Sequence, residues 1–361
     1  MIKVIGNRYP RLFFSDDGDE PFYFKEDITI PEEIPERPRI PDGEPMSYEE
    51  HRDIFLSCAS RSVRVPAGER ILDRSVATWQ LAELLGIGDI IVPAYRSTFY
   101  YEGRELSGIK MPPASGVSYS DLIRLSSLAG YRFSYSVCAV RQLTILVMFD
   151  FLCGQIDRHS KNIRLILPAE PSDMPPAAEG ADELLIMGIC AIDHDMSFGL
   201  NGYEDIRKRI SAGRCICPEM LGQMQYTAID EPFYERVAAV SDDEYRRVLS
   251  PLITEAEIEA FFDRLYGLKA AVDRCRSQEQ RFLNTYAAAD NGDSKADNTG
   301  GFFSRFITTD DMYAQYLSRM EDFAFHGGRD NWDLRFSYRP SYLKKYILTH
   351  EMIQGSDSTQ N

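Results

Sequence analysis

The stretch Phe149-Asp150-Phe151-Leu152-Cys153-Gly154-Gln155-Ile156-Asp157-Arg158-His159-Ser160-Lys161-Asn162 decides the reading, and Ala191-Ile192-Asp193-His194-Asp195-Met196-Ser197-Phe198-Gly199 answers it. The first stretch closes an apolar run over 140–155, interrupted by Arg141, Gln142 and Asp150, that reads as a buried helix. That helix runs out into a polar loop offering Asp157. Asn162 follows five positions later, at the start of a strand over 162–167. A second strand, 184–192, returns and ends in Asp193. A hairpin of this form sets Asn162 and Asp193 side by side, two oxygen ligands suited to Mg²⁺. Asp157 stands about one loop away, placed to accept a proton from an attacking hydroxyl.

Working outward, Leu12-Phe13-Phe14, a turn ending at Gly18, and Phe22-Tyr23-Phe24-Lys25 predict a hairpin. The segment 28–46, with Pro31, Pro35, Pro38, Pro41 and Pro45 among acidic residues, reads as an extended connector. Ser47 and Glu50 form a capping box for one helix. A second helix spans 74–85, with Val76, Ala77, Leu81, Leu84 and Leu85 on one face and Gly86 as its stop. Strands are expected over 89–95, 97–101 and 106–111, the last two joined by a turn at Glu102-Gly103-Arg104. After Pro112-Pro113 the pattern turns mainly helical, with a loose Pro/Ala/Glu-rich insert over 168–183 and further capping boxes at Ser241…Glu244 and Thr254…Glu257. Residues 289–301 and 355–361 read as flexible. The expectation is an α+β chain: a sheet-rich lobe, 1–112, and a mainly helical lobe, 113–361, whose segment 150–200 carries the catalytic loop and metal site.

Each element alone is common. A lone D-x-x-x-x-N occurs by chance, and Asp193 and Asp195 flanking His194 also read as a polar turn. The order is far more restrictive: apolar helix, Asp…Asn, strand, loop, apolar strand, Asp, Phe-Gly. It is the order of kinase-type phosphoryl transfer, where a D-x-x-x-x-N loop precedes a metal-binding aspartate. The segment resembles atypical kinases with Asp-Arg-His in the catalytic loop: the phosphatidylinositol 3-/4-kinases, the HipA-type kinases and the secretory-pathway casein kinase family. It is most similar to the last, through Phe149–Leu152, Asp157-Arg158-His159, Asp193 and Phe198-Gly199. Asn162 fits the lipid-kinase and HipA pattern better. A weaker likeness covers 74–92, where Val76–Leu81 and Val92-Pro93 resemble the regulatory helix and the strand after it. The resemblance implies a bilobal protein-kinase-like fold, Asp157 as catalytic base, and Asn162 and Asp193 as metal ligands. Arg158 and His159 are read as loop scaffold, and Lys161 as a solvated surface lysine.

Such an enzyme also needs a strand lysine for the ATP phosphates, paired to a helix glutamate. No lysine occurs between Lys25 and Lys110. Lys25, on the strand behind the Gly18 turn, is the favoured phosphate contact, and Arg64 is the second choice. Where the superfamily has the helix glutamate, this chain has Ser75; Glu49, Glu50 and Glu69 are nearby acids.

The chain has 361 residues, with 40 Lys and Arg against 56 Asp and Glu, a net charge of −16. That balance argues against broad nucleic-acid binding, which needs a basic face. No apolar run reaches the roughly 18–20 residues of a membrane span, and the start lacks the apolar core of a signal peptide. Seven cysteines in no metal-like spacing predict reduced thiols, and with them a cytoplasmic protein. The expected activity is an ATP- and Mg²⁺- or Mn²⁺-dependent phosphotransferase acting on a protein Ser/Thr hydroxyl. The alternatives are a nucleotide-binding pseudokinase and a small-alcohol or inositol-lipid kinase. A metal-dependent phosphohydrolase built on Asp157, His159, Asp193, His194 and Asp195 is a more distant one.

Overall fold

Alternating large apolar residues turn the N-terminal stretch into a sheet. Strands β1 (Ile2–Val4), β2 (Leu12–Ser15), β3 (Phe22–Glu26), β4 (Tyr95–Tyr101) and β5 (Arg104–Met111) pair antiparallel throughout, in the order β1-β2-β3-β5-β4. In this computed structural model the described residues are 2–5, 9–16, 20–36, 38, 46–118, 122, 132–159, 161–168, 183–211, 228–286 and 305–307. The tip of the predicted first hairpin, the 168–183 insert beyond its ends, and the segments 289–301 and 355–361 lie outside them.

Phe13 and Phe24 are buried on one face of the sheet, and the Phe99 ring stacks on Phe24 at 4.9 Å between centroids. Successive strand residues face opposite ways, so Lys25 points to the other face. Lying between β2 and β5, β3 has both edges paired: Lys25 is in register with Leu12 and Ile109. The β4–β5 hairpin closes through Glu102 and Gly103, at φ 49° and 79°, the signs that a two-residue turn between twisted strands requires.

Helix α1 (Tyr48–Ser57) starts at the predicted capping box, with Glu50 N–H on Ser47 Oγ and Ser47 N–H on Glu50 Oε2. It runs into a π-helical turn, Cys58–Val63, which ends at Arg64 with φ 66°. Helix α2 (Asp73–Leu84) stops at Gly86, φ 68°, where Ile87 N–H reaches back to the Ala82 carbonyl. The expected strand over 89–95 is not found. Ile90 N–H closes on the Ile87 carbonyl, making Gly88–Ile90 a 3₁₀ turn, and the strand begins only at Tyr95.

Further along come β6 (Val117–Ser118), β7 (Arg132–Tyr135), α3 (Val137–Cys153), β8 (Ile163–Ile166), β9 (Glu183–Ile186) and β10 (Gly188–Ala191). They are followed by α4 (Tyr203–Ser211), β11 (Ala228–Asp230), α5 (Glu231–Ala239), α6 (Asp242–Leu249), α7 (Glu255–Tyr286) and β12 (Arg305–Ile307). The predicted strand over 184–192 is two strands broken at Met187, whose N–H bonds the Ile166 carbonyl. Its first part pairs parallel with β7, and its second joins the sheet β10-β8-β6.

The chain forms two compact units, each discontinuous: 1–114, 144–159 and 191–308 in the first, 115–143, 160–190 and 309–361 in the second. In the first, residues 73–78 of α2 are buried all round, so its polar Arg74 needs an internal partner. It finds Glu257 at the start of α7, and both side chains are fully buried. The other Glu257 oxygen accepts from Thr254 N and Oγ1, completing the predicted capping box. Breaking a buried pair strands a charge. Arg74→Met is therefore expected to lower the unfolding free energy by about 3–5 kcal/mol. Arg74→Met/Glu257→Gln, which keeps the cap acceptor, should recover part of that loss in urea titrations.

Candidate functional site

Helix α3 delivers the first half of the site through its own termination. Gly154 adopts φ 65°, its N–H bonds the Phe151 carbonyl, and Gln155 N–H bonds the Asp150 carbonyl at 2.9 Å. A Cβ on Gly154 would also lie 2.9 Å from the Arg264 guanidinium carbon. That guanidinium is buried and caps the helix end, with Nε on the Leu152 carbonyl at 2.8 Å.

The loop is then folded back onto the helix. Arg158 donates twice to the Asp150 carboxylate, at 2.8 and 2.9 Å, with both side chains at most 1% exposed. Its remaining nitrogen, Nη1, reaches the Ile192 carbonyl at 2.8 Å, and Nη2 also meets His194 Nδ1 at 3.0 Å. Gln155 joins the two loops: Oε1 accepts from Asp157 N–H at 2.8 Å, and Nε2 donates to the Asp193 carbonyl at 3.2 Å. Asp157 is left partly open to solvent, its side chain 48% exposed.

The second half begins where Ala191 bridges to Ile91, in parallel, and accepts from Val92 N–H at 3.0 Å. Asp193 follows in the left-handed region, φ 62°, which aspartate tolerates better than most residues. The loop is closed by Ile156 N–H on the Met196 carbonyl and by Phe198 N–H on the Cys153 carbonyl at 2.7 Å. Gly199 lies so close to the π-helical turn that a Cβ there would stand 1.7 Å from the Val63 carbonyl oxygen.

Lys25 meets this loop from the sheet. Its Nζ is 2.6 Å from Asp193 Oδ1 and 2.6 Å from Asp195 Oδ2. Lys25 is 13% exposed and Asp195 4%, whereas Asp193 is 40% exposed. Burial opposes the charge on Lys25, but the two carboxylates outweigh it and hold the amine well above its usual range. Burial also opposes ionisation of Asp193, and Lys25 reverses that, keeping its carboxyl below the usual range. Asp195 moves the other way, upward, through burial and the charge of Asp193. Burial and Asp193 together push Asp157 up to about 6. His194 goes down to about 3, because it is buried and faces the Arg158 cation. It is the neutral ring, with Nε2–H donating to the Ala191 carbonyl and Nδ1 accepting from Arg158.

The predicted residues Lys25, Asp157 and Asp193 thus all lie in the first unit, with Lys25 in contact with Asp193. Asn162 is buried just before β8 and belongs to the second unit. Arg64, the second choice for the phosphates, is engaged with Asp205 at 3.0 Å. Lys110 lies 4.3 Å from the centre of the Phe22 ring. Asp195 as a partner of Lys25, and Gln155 as the clasp between loops, were not foreseen.

No group of three or more His, Cys, Asp or Glu side chains able to hold a metal ion occurs among the described residues. Both ring nitrogens of His194 are already used, which removes it from the ligand set that a phosphohydrolase would need. A nucleotide-bound Mg²⁺ asks for less: one or two carboxylates, with phosphates and water completing the shell. Asp193 fits that demand, since Oδ1 takes the lysine bond and the carboxylate is partly exposed. Compared with protein-family models and with curated proteins, the chain matches none.

His194 makes the site acid-sensitive. Between its folded value of about 3 and the ordinary histidine value, the unfolded chain holds a proton that the folded one does not. Stability from this group is therefore complete above that ordinary value and drains away as pH falls through the window. Asp157 and Asp195 act in the opposite sense up to about 6, so the comparison has to be made between variants. Relative to the wild type, His194→Asn should flatten the fall in unfolding free energy between pH 6 and 4 by up to about 1.4 kcal/mol per pH unit, read by urea denaturation.

Proposed function

We propose that this chain is an ATP- and divalent-metal-dependent phosphotransferase with a bilobal protein-kinase-like fold, acting on a protein Ser/Thr hydroxyl. One observation carries the reading. A lysine from the central strand of an antiparallel sheet meets, across 168 residues of chain, Asp193, which follows β10. Asp157, from the intervening loop, is close enough for its ionisation to respond to both of them.

The roles follow from the chemistry of each group. Asp157 accepts the proton of the attacking hydroxyl at its carboxylate. Held up to about 6, it is a stronger base than an ordinary aspartate and is still ionised at neutral pH. Asp193 is the residue of the first unit that would hold the metal, and Lys25 would contact the phosphates. The metal, when bound, neutralises charge developing on the transferred phosphoryl group. Gln155 and Arg158 keep Asp157 and Asp193 in place by joining both loops.

The acceptor class rests on the likeness to casein-kinase-type and HipA-type enzymes. A nucleotide-binding protein without transfer is the second reading, and the engagement of Lys25 with two carboxylates favours it. The deciding experiment is transfer from labelled ATP with Mg²⁺ or Mn²⁺ to a protein mixture, with inositol lipids and small alcohols as parallel acceptors. Wild-type protein should label Ser/Thr residues, and Asp157→Asn should lower kcat by at least about a hundredfold. The acid limb of the wild-type kcat/KM profile, which reports the free enzyme, should break near pH 6, falling tenfold per unit below it. Nucleotide that raises the melting temperature while no acceptor is labelled would instead establish the second reading.

A further inference from the structure

A phosphate-binding lysine on a strand has to be held in place, and no acid of α2, Asp73 or Glu83, bonds Lys25. The position expected to carry a glutamate is Ser75, which is buried. Asp73 is committed to Arg96 at 2.6 Å, and Arg74 is paired with Glu257. The partners that Lys25 does have are Asp193 and Asp195, each at 2.6 Å.

These two carboxylates are not equivalent. Asp193 is 40% exposed and stands where an incoming cation can reach it, whereas the Asp195 side chain is 4% exposed. A divalent ion brings its own water shell and gives it up reluctantly, so the open carboxylate is the one that would hold it. The closed one keeps the ammonium, which needs no water in that place. We propose that Asp195 is the positioning residue for Lys25, supplying from the metal loop the acid that α2 does not supply, while Asp193 is released from the lysine to the metal. This rests on the phosphotransfer reading and adds a division of labour within it. It also puts the lysine's anchor and the metal ligand on one loop, so that a shift of residues 193–195 would act on both together.

The test is a double-mutant cycle on nucleotide binding by the full chain, with Mg²⁺ and a non-hydrolysable ATP analogue as the probe. Asp195→Asn should weaken analogue binding roughly tenfold, the scale of one charge-assisted hydrogen bond. It should raise KM for ATP more than it lowers kcat and leave the Mg²⁺ requirement unchanged. In a Lys25→Met background the same substitution should have no further effect, because its target is gone. Asp195→Glu, which keeps the charge, should restore part of the affinity, so the outcome does not rest on one variant folding. Additive losses from Lys25→Met and Asp195→Asn, or a raised Mg²⁺ requirement in Asp195→Asn, would overturn the positioning role and make Asp195 a metal ligand. Wild-type protein that binds no analogue at any Mg²⁺ concentration would overturn the phosphotransfer reading itself, and this role with it.

Discussion

The ion pair between Asp150 and Arg158 organises everything around it. Two charges are withdrawn from water at the end of an apolar helix, a demanding arrangement unless every donor is used. Arg158 meets the demand with two bonds to Asp150, one to the Ile192 carbonyl and one to the His194 ring. The loop after α3 and the loop after β10 are thereby held to the same guanidinium. His194 must remain neutral for this to work, and its second nitrogen is spent on the Ala191 carbonyl to secure the right tautomer. The reactive-looking histidine of the motif is thus a structural acceptor, and the carboxylates on either side of it are left for other work.

Local signals, hairpin pairing among them, were legible in the sequence, and long-range pairing was not. The capping boxes at Ser47 and Ser241, the Gly86 stop, and the turn before Arg104 form as expected, because each depends on residues within a few positions of one another. The strand expected over 89–95 failed for a related reason: its apolar residues are buried, but the Ile87 carbonyl captures Ile90 N–H before any strand partner can. The break at Met187 was hidden because apolar runs on either side read as one strand, although they join different sheets. Within the site, Lys25, Asp157 and Asp193 could be named from motif order. The partner of Lys25, Asp195, and that of Arg74, Glu257, lie 170 and 183 residues away, where spacing carries no information.

The charge balance acquires a definite meaning here. A chain with net charge −16 repels a polyanion at long range. What it offers is a single buried ammonium set among Asp157, Asp193 and Asp195, all carboxylates within electrostatic reach of one another. Such a cluster is over-supplied with negative charge when no cation is present. Burial first, and the charge of Asp193 after it, raise Asp157 and Asp195. A divalent ion at Asp193 would lower the part of both shifts that comes from its charge.

The left-handed backbone at Asp193 has a bearing on how this loop can change over generations. Few residue types occupy that conformation without strain, and asparagine and glycine are the chief ones besides aspartate. Most single substitutions there would disturb the loop as well as its charge and would be removed for misfolding before any new use could be tried. Drift at this position is therefore funnelled through asparagine or glycine, both of which keep the loop and abandon the carboxylate. A descendant that had given up the charge while retaining the scaffold would carry one of those two residues at 193, and would be recognisable by it.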